Sequence, residues 1–457
     1  MRIDRIYRTW RGVVTLCAGL AVAQAQAGVT LTRMVAFQIH GTNGTHPRCE
    51  LVIGQDGNLY GTTFTAGDPV ALDGTVFRYV PGGGVNPLVK FNGANGAASQ
   101  AGLTPGPNGT FYGNTSEGGP DDYGTIFQIT TNGVLIPLVN FNSNNGAAPF
   151  GPMIRGNDGN YYGTTSAGGT NNAGTIYQMT PAGALTTIAS FDGTNNGAIP
   201  YGALYEDAEG NFYGTTSAGG TYDFGVVFKL NAGGALVPLV TFDGTNSATP
   251  YAGMVPGADG QLYGTTSGEG GGGYGTVFRV SLGGAFTNLV WFDGVNGYSP
   301  YGPLLLASDG NFYGTTIFGG TNNYGNVFRM TPAGVVTSLA SFDGYFFGSA
   351  PESGLLETTS GTFYGTTADG GPASDGTLFR LFVPPPPKFQ SFTRTNGALT
   401  FGWTSTAGQL YQVQYKTNLA QTNWINLGAI LNATNSATTV SDPTTNAGRF
   451  YRVQMLP

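Results

Sequence analysis

The sequence carries little charge, and no run of basic residues follows its first dozen positions. Only 9% of the 457 residues are charged, and the formal net charge is −7. Proteins that bind nucleic acids or anionic membranes present a basic surface that displaces counterions from the phosphates. We therefore expect no nucleic-acid partner.

Cysteine and histidine are almost absent, which argues against several kinds of site. Cys17 lies in an N-terminal apolar segment, so Cys49 is left without an internal disulfide partner. His40 and His46 are the only histidines, and together with Cys49 they form a weak set of zinc ligands. A Ser-His-Asp triad or a Cys-His pair has equally little support. We predict neither catalytic residues nor metal ligands.

Long apolar runs are also missing, apart from one short stretch near the N-terminus. Four arginines precede the apolar stretch 12–23, and the small residues Ala25 and Ala27 follow it. This order is typical of a cleavable signal peptide over residues 1–27. The stretch is too short to anchor the protein in a membrane. We expect a secreted, periplasmic or cell-surface protein without a transmembrane anchor.

Glycine and aromatic residues are abundant, and they recur at fixed intervals of about 50 residues. Two markers occur seven times each: a Tyr-Gly-Thr-Thr phrase or a near copy, and a phenylalanine usually followed by Asp-Gly or Asn-Gly. The phrase begins at Tyr60, Tyr112, Tyr162, Tyr213, Tyr263, Tyr313 and Tyr364. The phenylalanines are Phe37, Phe91, Phe141, Phe191, Phe242, Phe292 and Phe342. The chain is therefore predicted to consist mainly of seven tandem repeats.

One repeat, residues 301–343, shows four short strands separated by turn residues. Asp309 and Gly310 form a hairpin turn signal, and Pro332, Ala333 and Gly334 mark a second turn. A four-stranded antiparallel unit of this length is typical of a β-propeller blade. A β-solenoid is the alternative.

The two ends of the repeat array favour the propeller. Residues Thr30 to Phe37 match a fourth strand, while the seventh repeat stops after its third strand, Thr377 to Phe382. If the first strand completes the last sheet, the ring closes without an unpaired edge. A solenoid needs polar caps instead, and none is visible. The predicted fold is all-β, with a seven-bladed β-propeller over residues 28–383 closed by an N-terminal strand.

The residues after the propeller are predicted to form a linker and a second, smaller domain. Four consecutive prolines make residues 384–388 a stiff linker. Short alternating segments over residues 389–457 predict a small β-sandwich. The aromatic residues expected in its core or on its flanks are Trp403, Tyr411, Tyr415, Trp424 and Tyr451.

The repeated phrase Asp-Gly-Asn-Phe-Tyr-Gly-Thr-Thr, followed by Gly-Thr-Val-Phe-Arg, resembles the GloVer tandem-repeat family of exported bacterial proteins. The resemblance covers residues 30 to 382 and implies a surface or secreted protein. The C-terminal segment is similar to fibronectin type III-like modules of extracellular bacterial proteins. Neither resemblance brings catalytic residues to carry over.

Repeated aspartates are the first candidates for chemistry. They precede glycine in the first turn of a repeat or follow the marker phenylalanine, as Asp309 and Asp343 do. Paired carboxylates could serve glycoside hydrolysis, and Asp/Asn loops could bind calcium. Their fixed place in the repeats is what turns alone require. We interpret them as turn residues and expect no cofactor, with calcium as the one alternative.

Aromatic residues that depart from the repeat are more informative. In a propeller, the connections from fourth to first strand and from second to third strand share one face. The aromatics predicted to bind a ligand there are Tyr222, Phe224, Tyr298, Tyr345, Phe346 and Phe347. Exposed rings stack on sugars or anchor proteins. In the alternative interpretation, the last three pack between the final blade and the sandwich.

Three functional hypotheses remain open at this point. The leading one is a non-enzymatic binding or cell-surface protein with a glycan or protein ligand. The second is a polysaccharide-acting enzyme that uses carboxylates on the loop face, and the third is a structural component of the envelope or matrix. An enzyme requires a deep pocket with two carboxylates about 5 to 10 Å apart, whereas a binding protein requires an aromatic surface.

Overall fold

The computed structural model describes residues 28–38, 43–65, 73–268, 273–418, 420–443 and 449–456. The predicted signal peptide and His40 lie outside these ranges. Within them the regular structure is β-strand, apart from a three-residue 3-10 turn at Pro107–Gly109. The all-β prediction is confirmed. In the same ranges, no helix is long and apolar enough to cross a membrane.

The described part of the repeat region forms seven four-stranded antiparallel sheets, here named sheets 1 to 7 in chain order. Sheet 1 contains Val52–Ile53, Leu59–Thr63, Thr75–Val80 and Gly84–Lys90. Sheet 2 contains Thr104–Pro105, Thr110–Thr115, Thr125–Thr130 and Leu135–Asn140. Sheet 3 contains Ile154–Arg155, Tyr161–Thr165, Thr175–Met179 and Leu185–Ser190. Sheet 4 contains Tyr205–Glu206, Phe212–Thr216, Val226–Leu230 and Leu236–Thr241. Sheet 5 contains Val255–Pro256, Leu262–Thr266, Thr276–Val280 and Phe286–Trp291. Sheet 6 contains Leu305–Leu306, Phe312–Thr316, Asn326–Met330 and Val336–Ser341. Sheet 7 contains Leu356–Thr359, Thr362–Thr367, Thr377–Phe382 and Thr30–Ala36.

Sheet 7 is completed by the first strand of the chain. Thr30–Ala36 runs antiparallel to Thr377–Phe382, with Thr30 opposite Phe382 and Ala36 opposite Thr377. The predicted pairing of the N-terminal strand with the incomplete seventh repeat is thus confirmed. Because this strand covers the edge of Thr377–Phe382, sheet 7 has the same four strands as its neighbours.

The glycine of each Tyr-Gly-Thr-Thr phrase is explained by an aromatic ring on the neighbouring strand. A Cβ on Gly264 would lie 2.4 Å from Cζ of Phe278, and a Cβ on Gly61 would lie 2.7 Å from Cζ of Phe77. No side chain fits at such distances, so the ring of the third strand can cover the second strand only where glycine stands. This contact explains why the second strand of a repeat has glycine opposite the aromatic residue of the third strand.

A recurring side-chain hydrogen bond joins six of the seven pairs of consecutive sheets. In most sheets a side chain of the second strand donates to a backbone carbonyl just before the first strand of the next sheet. The donors and acceptors are Thr62 and Ala101, Asn114 and Gly151, Thr215 and Ala252, Thr265 and Gly302, Thr315 and Ser353, and Thr366 and Cys49. The last pair, at 3.2 Å, joins sheet 7 to sheet 1. Sheet 3 departs from the rule, because Oγ1 of Thr164 is buried without a partner.

The apolar core lies between the sheets and follows the same order of sheets. The marker phenylalanine of one sheet packs on an aromatic ring in the third strand of the next, as in Phe91 and Phe127, whose ring centroids are 5.3 Å apart. Phe37, which follows the N-terminal strand of sheet 7, packs on Phe77 of sheet 1 at 5.4 Å. One buried cluster therefore contains residues of the last and the first sheet together.

The C-terminal segment forms two further sheets with a core of their own. One contains Phe389–Thr395, Ala398–Thr404 and Ala437–Asp442; the other contains Leu410–Lys416, Ile425–Asn426, Leu431–Asn432 and Phe450–Leu456. Trp403 and Tyr411 are fully buried, as predicted, and Tyr451 packs against them. Trp424 lies outside this core, against the side chains of Lys416 and Arg452. The strand Leu431–Asn432 is too short to produce a sequence pattern and was not predicted.

Replacing Phe37 by alanine tests whether the last and first sheets depend on each other. Loss of this buried ring should lower the free energy of unfolding by about 3–5 kcal/mol, because the cavity lies in the shared core. Phe191→Ala is the matched control, since Phe191 is equally buried and packs on Phe228 of the next sheet. Urea unfolding should show similar losses. A cost below about 1 kcal/mol for Phe37→Ala alone would contradict the closed cycle.

Candidate functional site

The loops that connect the strands meet on one face of the repeat region, as predicted. Short bridges pair the loop after the fourth strand with the loop between the second and third strands of the next sheet. The pairs include Ala97 with Glu117, Ala147 with Ala167, and Tyr298 with Phe318. Each incoming connection is thus tied to the sheet that it enters.

The repeated aspartates form turns, which agrees with their interpretation as turn residues. The carboxylate of Asp56 accepts hydrogen bonds from the backbone N–H of Asn58 and from the hydroxyl of Tyr60. Asp343, after the marker phenylalanine, accepts backbone N–H groups of the three residues 345–347. These carboxylates are committed to local backbone geometry.

The three consecutive aromatics 345–347 have different environments. Tyr345 is 72% exposed and Phe346 is 45% exposed. The guanidinium of Arg33 lies 3.9 Å from the ring centroid of Phe346, and its Nη1 donates to the Phe346 carbonyl at 2.9 Å. Phe347 packs against the core shared by sheets 6 and 7. Tyr345 and Phe346 are therefore surface rings, whereas Phe347 is partly buried beside that core.

The other predicted aromatics lie on different loops. Tyr222 is 59% exposed, but Phe224 packs against the core between sheets 4 and 5, which corrects the expectation that it is exposed. Tyr298 is partly buried and contacts the ring of Tyr274 at a centroid distance of 5.1 Å. The structure leaves these side chains on separate loops of sheets 4 to 6, and Tyr298 with Tyr274 and Phe318 is the largest group among them.

A pocket lies where all seven sheets converge, and the sequence analysis did not single it out. Its cavity volume is about 80 Å³, smaller than the roughly 300–1,000 Å³ of drug-sized ligand sites, so a ligand would lie partly in the solvent above it. The stretch that precedes the first strand of each sheet forms its wall, and we call these stretches the lining segments. They are residues 47–50, 99–102, 149–152, 200–203, 250–253, 300–303 and 351–354.

Each lining segment is fixed by a residue in the left-handed backbone region. These residues have φ between 50° and 58° and immediately precede the segments: His46, Ala98, Ala148, Ile199, Thr249, Ser299 and Ala350. Their N–H groups donate to loop carbonyls of the preceding sheet, as His46 does to Asp375 of sheet 7 at 2.8 Å. For β-branched Ile199 and Thr249 this conformation is strained, so the surrounding contacts must hold it. The segments are consequently rigid supports for the side chains that follow.

The second residue of each lining segment occupies an equivalent position in the pocket wall. In chain order these residues are Arg48, Gln100, Phe150, Tyr201, Tyr251, Tyr301 and Glu352. All seven are partly buried, so each keeps contact with solvent. Aromatic rings occupy the position in sheets 3 to 6, and polar or charged groups occupy it in sheets 7, 1 and 2. The pocket therefore has one aromatic side and one polar side.

The aromatic side is a continuous series of overlapping rings. The centroid of Phe150 lies 4.8 Å from that of Tyr201, which lies 5.2 Å from that of Tyr251. Tyr251 and Tyr301 are stacked, with 4.4 Å between centroids and 22° between planes. Burial raises the pKa of the Tyr301 hydroxyl, and the negative charge of Glu352 adds to that shift. The Tyr301 phenol is therefore a neutral hydrogen-bonding group at physiological pH.

The polar side contains one ion pair. Nε of Arg48 lies 3.2 Å from Oε2 of Glu352, and the guanidinium lies 4.9 Å from the ring centroid of Phe64. Burial raises the pKa of Glu352, although the charge of Arg48 acts in the opposite direction. Asp369 adds to this increase and also lies 3.6 Å from Nε2 of His46. Arg48 is thus surrounded by more negative charge than it balances.

Glu50 is the fourth and last residue of the first lining segment, and the other six segments have an uncharged residue at this position. The equivalent residues are Gly102, Pro152, Ala203, Gly253, Pro303 and Gly354. A Cβ on Gly354 would lie 3.3 Å from Cγ of Glu50, so the glycine makes room for this side chain. Within the described ranges its carboxylate has no recorded hydrogen-bond or ion-pair partner. Glu50 is only partly buried, yet desolvation raises its pKa to about 7.

These pocket residues carried a signal in the sequence. In six repeats the second residue of the lining segment follows a proline, and in three of those repeats the pair is Pro-Tyr. Arg48, Gln100 and Glu352 stand where the other four repeats have an aromatic residue. Tyr345 is a similar case, because it differs from the residues at the same position of the other repeats. Arg48, Gln100 and Glu352 lie at the ends of the loops, outside the longer loop stretches in which the predicted aromatics stand.

The weak zinc set does not assemble within the described residues. No group of three His, Cys, Asp or Glu side chains there could hold a metal ion. Cys49 is buried, its Sγ donates to the carbonyl of Thr62 at 3.2 Å, and burial raises its pKa to about 11. His40 lies outside the described ranges.

Comparisons with known proteins give one family and several distant structures. The family model described as the Gloeobacter/Verrucomicrobia repeat matches residues 7–207 and 153–379. No curated protein matches the chain.

Solved structures resemble the chain at low identity. A protein of unknown function from Dyadobacter fermentans is 10% identical with a TM-score of 0.45, covering 78% of this chain and 99% of that one. A puromycin-hydrolyzing peptidase from Mycobacterium tuberculosis is 13% identical with a TM-score of 0.47, covering 84% and 62%. A polysaccharide lyase that acts on ulvan is 12% identical with a TM-score of 0.40, covering 65% and 78%. These likenesses are too distant to support an argument.

Glu50→Gln should change how stability depends on pH. The pKa of Glu50 is about 7 in the folded protein and near 4.5 in the unfolded chain, so the folded state binds the proton more tightly. Its contribution to stability is complete below about pH 4.5 and is lost as the pH rises through about 7. Glutamine does not titrate, so the free energy of unfolding of the variant should rise relative to that of the wild type between pH 5 and pH 8. Urea unfolding measures this difference.

Glu209→Gln, on an exposed turn, is the matched control for this measurement. It removes one carboxylate from the protein without touching the pocket. Parallel stability curves for the wild type and Glu50→Gln over this pH range would show that the pKa of Glu50 is not raised.

Proposed function

The chain belongs to the Gloeobacter/Verrucomicrobia repeat family, and from this premise we propose that it is an exported glycan-binding protein whose binding site is the central pocket. The family match covers most of the chain and the whole of the pocket wall. It supplies the repeat as scaffold, whereas the proposal for the ligand rests on the residues that the repeat leaves free to vary.

The observation that carries the proposal is the two-sided pocket wall. The marker phenylalanine and the Tyr-Gly of the repeated phrase are the same in all seven repeats, but the second position of the lining segment changes from Tyr251 or Tyr301 to Arg48, Gln100 or Glu352. A position that accepts such different residues is not required by the fold. Its arrangement into one aromatic side and one polar side is therefore better explained by a ligand.

The chemistry of the two sides suits a sugar. Carbohydrate ligands combine apolar C–H surfaces, which pack on aromatic side chains, with hydroxyl groups that need charged or amide partners. Phe150 and the three tyrosines supply the first kind of contact, and Gln100, Arg48 and the two glutamates supply the second. Rigid lining segments reduce the entropy cost of binding.

The proposed scaffold is the seven-bladed β-propeller of residues 28–383. The recurring hydrogen bonds and the shared core of sheets 7 and 1 support it, because each sheet then has two neighbours. Residues 384–388 are proposed as the linker and 389–457 as a fibronectin type III-like sandwich that spaces or attaches the propeller. The family relation supports export, with the signal peptide over residues 1–27.

A polysaccharide-acting enzyme is the second candidate, favoured by the raised pKa of Glu50. A carboxyl group with a pKa of about 7 can donate a proton at neutral pH, and Glu352 is a second carboxylate in the same pocket. Release of reducing ends or of unsaturated products from polysaccharides would identify this activity, and Glu50→Gln should abolish it.

A glycan-array screen of residues 28–457, run with calcium and with a chelator, tests the binding function. Tyr251→Ala should weaken binding at least about tenfold, because it removes a central ring of the aromatic side. The double variant Tyr345→Ala and Phe346→Ala is the matched control, since it removes two exposed rings of the loop face and leaves the pocket intact. Thermal unfolding checks that both variants are folded.

The outcomes of the screen separate the competing sites and functions. Loss of binding in the loop-face variant alone would move the site to the residues first expected from the sequence. Silence of the folded wild-type protein across the array would contradict a glycan ligand and favour a protein partner or a structural role. Loss of binding in chelator would reopen the calcium alternative.

Export can be tested separately from ligand binding. Expression with residues 1–27 in a bacterial host should give an extracytoplasmic protein whose N-terminus is Gly28, because the small residues at 25 and 27 fit the cleavage site. Mass spectrometry of the purified protein measures this. An unprocessed N-terminus in the cytoplasm would contradict the proposal of export.

A further inference from the structure

Glu50 leaves a negative charge unbalanced in the pocket. The charged side chains of the pocket wall are Arg48, Glu50 and Glu352. Arg48 lies 3.2 Å from Glu352, so its charge is already balanced by that carboxylate. Glu50 has no such partner among the described residues. When both glutamates are ionised, the wall carries a net charge of −1.

The protein does not supply a cation for Glu50 at any equivalent position. The corresponding residues of the other six sheets are small or apolar, and Gly102 and Gly354 flank the Glu50 side chain directly. An ionised carboxylate without a cation is costly where water is scarce, which is why its pKa is raised. A positive group within about 4–6 Å would reverse this effect.

The surroundings of the pocket also favour a cation. Asp369 raises the pKa of Glu352 beyond the effect of burial. With a net charge of −7, the whole protein attracts cationic groups. A bare divalent metal ion fits less well, because it requires more carboxylate oxygens than this wall offers.

We infer that the ligand of the pocket is a glycan unit with a free amino group, whose ammonium donates hydrogen bonds to the carboxylate of Glu50. This inference rests on the proposed glycan-binding function and specifies its ligand. The ammonium supplies the positive charge that the wall lacks, while the sugar ring packs against Phe150 and the tyrosines. N-acetylation removes that charge and leaves Glu50 unpaired.

Calorimetric titration at pH 6.5 with two matched ligands tests the inference. The probes are β-1,4-linked oligomers of glucosamine and of N-acetylglucosamine with the same number of units. The amino form should bind at least about tenfold more tightly, since a charge-assisted hydrogen bond is made only with it. In Glu50→Gln the preference should disappear, whereas Glu209→Gln should retain it.

The number of protons released on binding is a second readout that needs no variant. Titration in two buffers of different ionisation enthalpy measures it. Besides Glu50, the ionisable groups of the pocket wall and of its immediate surroundings are Arg48, Cys49, Tyr201, Tyr251, Tyr301 and Glu352. Because the pKa of Glu50 is about 7, this carboxyl is mostly protonated at pH 6.5, and an ammonium that pairs with it should displace its proton. The neutral fraction of the oligomer's own amine takes up protons on binding, so proton release here means the measured number after correction for that uptake, which a titration of the free oligomer gives.

The outcomes distinguish this inference from the function on which it rests. Equal or tighter binding of the acetylated oligomer would overturn the inference and leave glycan binding in place. Binding of the amino form without proton release, or with an unchanged preference in Glu50→Gln, would show that another group holds the ammonium and would also overturn it. Binding of neither oligomer, together with a silent array, would overturn both.

Discussion

Every feature of the repeat region depends on the packing of one sheet against the next. The marker phenylalanine of each sheet lies on an aromatic ring of its neighbour, and between the last and first sheets the pair is Phe37 and Phe77. No sheet buries its apolar faces alone, so the stability of each one is inseparable from that of its two neighbours. The N-terminal strand matters because it carries Phe37 into this cycle and completes sheet 7.

The same cycle creates the pocket. Six of the seven sheets are held to the next one just before its first strand. The seven lining segments converge, and their second residues face a common space. A repeat that is nearly uniform in its core can therefore present seven different side chains in one ring. The scaffold and the binding site are thus under separate constraints within the same 50-residue unit.

The ion pair of the pocket and its unpaired carboxylate have different physical consequences. Arg48 and Glu352 form an ion pair, in which the charge of Arg48 offsets part of the desolvation that raises the pKa of Glu352. Glu50 lies between two glycines without a counter-ion, and burial shifts its pKa towards neutrality. A charge that the folded protein leaves unbalanced costs stability, and a ligand that balances it would recover that cost on binding.

The repeat by itself determined the strand order, the turn aspartates and the completion of the last sheet by the first strand, because these follow from local patterns that occur seven times. Sequence alone could not place Phe224 and Phe347, whose exposure depends on neighbouring sheets. It also left the pocket unrecognised, since Arg48 and Glu352 are about 300 residues apart and become neighbours only when sheet 7 packs against sheet 1. Local pattern decided the sheets, and tertiary closure decided which of their residues share a site.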